Sequence, residues 1–202
     1  MGFNGDIVVL RSERPLSAHT PYADTPQHLT GTTWNYLEGW RAVHVRHYEA
    51  PSTYADAWIA ELAQATQAPV LVCHVRESDV AQVRGSSGAG WWEGWLDPES
   101  ASSTIAAERY SAFMEENYEG VDSMQNVDLG QLITGWEAEA LLTLERERST
   151  AAHAAVAWAA AAGHSVPVEP VEQLLARSRE PFVEDLFFAL LNALGMRRLA
   201  EQ

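Results

Sequence analysis

The chain has 202 residues and carries 28 acidic side chains against 13 basic ones, all of them arginine, for a net charge of −15. That balance argues against nucleic acid as a partner, because binding to phosphate depends on Lys and Arg displacing counterions. The absence of lysine excludes Schiff-base chemistry and a lysine-bearing phosphate loop, and the single cysteine excludes an intrachain disulfide or a multi-cysteine zinc site.

An apolar content of 47% with eight tryptophans is that of a folded chain, long enough to bury a core without covalent staples. Met1 to Asp6 lacks the basic start of a signal peptide, and the longest strongly apolar run, Leu186 to Leu194, is too short for a bilayer. The expectation is a cytoplasmic protein with no membrane partner.

Asp6 to Arg11 reads as a short strand, apolar and β-branched behind a glycine. Ser12 to Thr33 is polar, broken by Pro15, Pro21, Pro26 and Gly31, without helical or strand period, and is expected to be a loop. Trp40 to Tyr48 alternates as a strand, with Val43, Val45 and His47 on one side and Ala42, His44, Arg46 and Tyr48 on the other. Ser52 or Thr53 caps a helix that runs to about Gln67, and Val70 to Arg76 is a near-continuous apolar strand. Strand, helix and strand within 37 residues is the length of a βαβ crossover, which predicts that these two strands pair in parallel. Asp79 to Arg84 and Gly90 to Leu96 are expected to form a hairpin turned by Gly85 to Ala89.

Beyond Leu96 the pattern turns helical. Asp97-Pro98-Glu99 is a capped start for a helix with Ala106, Tyr110, Phe113 and Met114 on its apolar face and Gly120 as its stop. Asp128 caps the next helix, whose inner stripe is Ile133, Trp136, Ala140, Leu141 and Leu144. Ser149 is expected to begin a separate alanine-rich helix ending at Gly163. Pro181 opens a last helix with Glu184 and Asp185 in its first turn, an apolar stripe from Val183 to Leu194, and Gly195 behind it.

The expected fold class is α+β: a small mixed sheet with a βαβ unit and a hairpin in residues 1–96, packed against a helical part in residues 97–202, as one compact unit or two subdomains. Charge divides with the fold. The first part has 10 acids and six arginines, the second 18 acids and seven arginines, and between Asp97 and Asp128 eight acids face Arg109 alone.

Three constellations stand out. His44-Val45-Arg46 recurs as His74-Val75-Arg76. If the two strands pair in parallel, both histidines and both arginines share one face, where they would bind a carboxylate or phosphate; the competing reading is that they pair with acids of the helical part. Trp91, Trp92 and Trp95 crowd the hairpin beside Trp34 and Trp40 and offer an aromatic platform to a partner, unless they are core. Glu115, Glu116, Glu119 and Asp122 form an acidic cluster without the spacing of a calcium loop. Cys73, mid-strand between apolar neighbours, reads as filler rather than nucleophile. No metal-ligand or catalytic motif is recognisable, and no cofactor is implied. The expectation is a non-catalytic, inhibitor-like (physically, immunity-like) acidic protein that docks a basic protein. The alternative is a small-molecule-binding protein or hydrolase with an anion-recognising His/Arg pocket between sheet and helices.

Overall fold

The structure is a computed structural model and describes residues 3–19, 30–46, 56–117, 128–179 and 181–200. Six strands form one antiparallel sheet: β1 (Gly5–Arg11), β2 (Thr30–Asn35), β3 (Trp40–Arg46), β4 (Val70–Arg76), β5 (Val80–Ser87) and β6 (Gly90–Leu96), in the order β2-β3-β1-β4-β5-β6. Helix α1 (Asp56–Thr66) joins β3 to β4, and α2 (Pro98–Asn117), α3 (Leu129–Ala161), α4 (Val168–Leu175) and α5 (Val183–Ala193) follow the sheet in sequence. The class is α+β, with the sheet in the first half and most of the helix in the second.

The expected parallel pair does not form. β3 and β4 run in the same direction across the α1 connection, but β1 lies between them and is antiparallel to both, so the sheet is not mixed. Ile7, Val8, Val9 and Leu10 are each at most 1% exposed, so β1 needs cover on both faces and pairing on both edges, and only an interior position supplies all four.

The two faces of the sheet build separate cores. Val8, Leu10, Val43, Val45, Val70 and Val72 meet Ile59 and Leu62 of α1. Ile7, Val9, Ala42, Leu71, Cys73, Val83 and Trp92 meet Trp158 of α3, Val171 and Leu175 of α4, and Phe187, Leu190 and Leu191 of α5. The Trp158 indole N–H donates to the Val70 carbonyl at 3.0 Å, and its ring lies 5.8 Å from that of Trp40. The last helix presents the stripe expected of it.

Other boundaries moved. Part of the expected loop is ordered structure: Leu16–Ala18 forms a 3-10 turn, and Thr30–Asn35 adds strand β2, which its run of threonines and small residues concealed. Residues 20–29 of that loop, the expected caps Ser52 and Thr53, and the expected stop Gly120 lie outside the described residues. The hairpin turn shrinks to Gly88-Ala89 because β5 continues to Ser87. Gly85 sits inside the strand, where a Cβ would stand 2.1 Å from Trp92 Nε1; glycine lets that indole lie flat across the hairpin.

Ser149 starts no helix: α3 is one element of 33 residues. Serine in a helix interior costs only about 0.5 kcal/mol relative to alanine, too little to interrupt good helix formers on both sides. At its start Asp128 caps as expected, its carboxylate accepting from the Gln131 N–H at 3.0 Å. Helix α4 has no counterpart in the sequence reading; it is one short amphipathic stretch with Pro170 in its first turn. No helix among the described residues is long and apolar enough to cross a membrane.

Arg179 closes the assembly between α4 and α5. Its backbone and guanidinium donate to the buried Asp97 carboxylate at 3.3 Å, and the guanidinium reaches Asp79 at 2.7 Å, tying three chain segments at the foot of β5 and β6.

Candidate functional site

The interior position of β1 decides the fate of the recurrent tripeptides. Asp6 faces Val45 on one side and His74 on the other, while Ile7 faces His44 and Cys73. The two tripeptides are therefore out of phase by one residue. His44 and Arg46 lie on the α3–α5 face, and His74 and Arg76 on the α1 face, so the shared-face expectation is corrected. His44 stacks on Phe3 at 4.0 Å between ring centroids, with Gly31 close against its ring. Arg46 is exposed at the strand end. His74 Nδ1 lies 2.7 Å from the Oδ1 of the fully buried Asp6, and Arg76 pairs with Glu108 of α2. The last contact is the one the competing reading expected.

The Asp6–His74 pair is the nearest approach to catalytic geometry. A buried carboxylate at Nδ1 fixes the ring and its tautomer, as it does for a histidine acting as general base. Cys73 is no partner for it: the thiol is fully buried on the opposite face, and burial, helped by the charges of Asp6 and Glu184, pushes its pKa well up. No three His, Cys, Asp or Glu residues among those described come together as a metal site.

The hairpin tryptophans separate by parity. Trp92 is 4% exposed and belongs to the core with Trp158, which removes it from the expected docking platform. Trp91 is 40% exposed and shares the α1 side of β6 with Glu93 and the half-buried Trp95. Trp95 and Glu93 also border a cleft of about 160 Å³ where α2 and α3 leave the sheet. Ile105, Leu144, Ala151 and Leu175 give the cleft apolar walls, and Arg109, Glu147 and Arg148 stand among its lining residues.

The helical pair beyond this cleft is an arm. At 1.5 Å per residue α3 is about 50 Å long, roughly twice the length of a seven-residue strand. Its second half carries the buried Ala152, Ala155, Trp158 and Ala159; before Ser149 only Ala140 is buried. Helix α2 packs antiparallel along that first half, with Phe113 edge-on to Trp136 at 5.9 Å and Arg109 bridging to Glu139 at 2.9 Å. Leu142 is left 60% exposed. Glu115 and Glu116 are exposed on the last turn of α2, and Glu119 and Asp122 lie outside the described residues. Sequence reasoning missed the cleft, because the packing of α2 and α3 beside β6 is required to place it, and passed over Leu142, which falls off the inner stripe of its helix; Asp6, a lone acid in an apolar strand, was a visible signal.

Compared with known proteins, the chain matches no family model, no curated protein and no solved structure.

Proposed function

We propose that the protein is a non-catalytic binding protein that docks a basic protein partner on the α2–α3 arm and the adjoining face of β6. The observation that carries this reading is the first half of α3, where Ile133, Trp136, Leu141 and Leu144 are only half-buried and Leu142 is exposed. Residues 97–117 and 128–148 carry 10 acids and three arginines, a field that attracts a cationic partner and orients its approach. Apolar side chains set in such a surface supply the short-range contact that charge alone lacks.

A panel of small basic proteins presented on a biosensor tests it. At least one is expected to bind with an association rate that falls about tenfold or more from low to high salt. Leu142→Asp discriminates contact from bulk charge, because it strengthens the field while removing the anchor. Dissociation is expected to quicken about tenfold. A panel without a binder, salt-insensitive association, or a Leu142→Asp variant that binds as well as the parent would each overturn the reading.

A small-molecule anion site is the second reading, favoured by one observation: Asp6 orients His74 on the face that also carries Arg76. His44 and Arg46 take no part in it. Phosphate or a carboxylate binding to the parent and lost in His74→Ala/Arg76→Ala supports it, whereas equal binding by a folded double variant removes it.

A further inference from the structure

The edges of the sheet are finished differently. β2 is interrupted by a register shift between Thr30 and Thr33, and the C-terminal segment is laced to its end: the Leu199 N–H donates to the Asn35 carbonyl at 2.8 Å and the Leu37 N–H to that of Arg197 at 2.9 Å. β6 pairs in regular register from Gly90 to Leu96 and contains no proline, lysine or bulge, the usual means of blunting an edge. The turn at Gly88-Ala89 sets its parity. Ser87 and Gly90 exchange hydrogen bonds, as do Gly85 with Trp92 and Val83 with Gly94. The amides and carbonyls of Trp91, Glu93 and Trp95 therefore point away from β5, and among the described residues no backbone hydrogen bond from another element meets them.

We propose that this edge is a strand-addition site, and that its occupant is an extended segment of the basic partner in which arginine or lysine alternates with aliphatic residues. The inference rests on the docking function proposed above. Incoming side chains on one face would meet the indoles of Trp91 and Trp95 and the exposed carboxylate of Glu93, which Arg84 of β5 approaches only to 3.9 Å and which can accept a second, closer guanidinium. Those on the other face would lie beside Gly94, where a Cβ would touch Leu175 and Ala151 at 3.6 and 3.8 Å, next to the cleft. Charge selects this occupant over a second copy of the chain. Antiparallel pairing of two β6 strands about their middle residue would set Glu93 against Glu93 and bring two acidic arms together. Main-chain hydrogen bonds give affinity in strand addition, and the alternating side chains give specificity.

The probe is a short peptide of alternating arginine and valine. It is expected to bind, and to slow hydrogen exchange at the amides of Trp91, Glu93 and Trp95. Glu93→Pro removes an outward N–H without touching the bonds to β5, and is expected to weaken the peptide about tenfold or more. Glu93→Gln keeps the amide and is expected to retain most of the binding. No binding, edge amides that exchange as fast with the peptide bound as without it, or a folded Glu93→Pro variant that binds normally would overturn the inference. A concentration-dependent dimer protecting the same amides would overturn the assigned occupant. If the edge fails while a basic protein still binds with salt dependence and is released by Leu142→Asp, the docking reading stands alone; if that binding is absent too, both fall.

Discussion

The two halves of α3 share one backbone and one helical register but answer to different demands. Beyond Ser149 the helix offers Ala152, Ala155 and Ala159 to the sheet, small residues that let it approach closely, and drives the Trp158 indole into the core. Before Ser149 it presents larger apolar groups that α2 covers only in part, separated by Glu137, Glu139, Glu145 and Glu147. Folding needs the first kind of surface and is poorly served by the second, since exposed leucine and clustered acids contribute little to stability and repel one another. The contrast shows where this chain holds surface that its own fold does not use.

The largest way to sharpen the contrast is Trp158→Ala. Losing a fully buried indole and its hydrogen bond to the Val70 carbonyl is expected to cost about 4 kcal/mol in chemical denaturation; a loss below 1 kcal/mol would mean that the second half of α3 is not the core element described. Next is Ser149→Pro, aimed at the junction. Proline at the first position of a new helix is tolerated, whereas within a continuous helix it is expected to cost about 3 kcal/mol. A neutral outcome would divide α3 in two and end the comparison. The smallest effect belongs to Leu142→Asp, expected to leave stability within about 0.5 kcal/mol of the parent while it impairs partner binding. A large destabilisation there would show that the arm serves the fold after all.

Much of the fold was legible because hydropathy has a period. The alternation in β3, the apolar run in β4 and the stripe from Val183 to Leu194 each named an element, and the stripe also named its inward face. Strand order was not legible, since nothing local in β3, α1 and β4 states that a third strand will lie between them. That one omission inverted the phase of the two tripeptides and dispersed the expected anion patch. Trp92 was misassigned for a related reason: in a hairpin every residue's face follows from the turn, and the turn is two residues long rather than five. The acidic surface was legible from composition alone; the place of β6 at the edge of the sheet was not, because edge and interior strands differ by what lies beside them.

The interior place of β1 also governs the order in which the molecule can be made. β1 is synthesised before the other five strands, yet its second neighbour, β4, ends at Arg76, and the core on the α3–α5 face takes its last member from Met196. The α1 face can close while the chain is still growing, but a nascent chain that has reached β6 holds Ile7, Val9, Leu71, Cys73 and Val83 on an open apolar surface. Emergence of α5 and Met196, rather than completion of the sheet, is then the event that ends the risk of aggregation during synthesis.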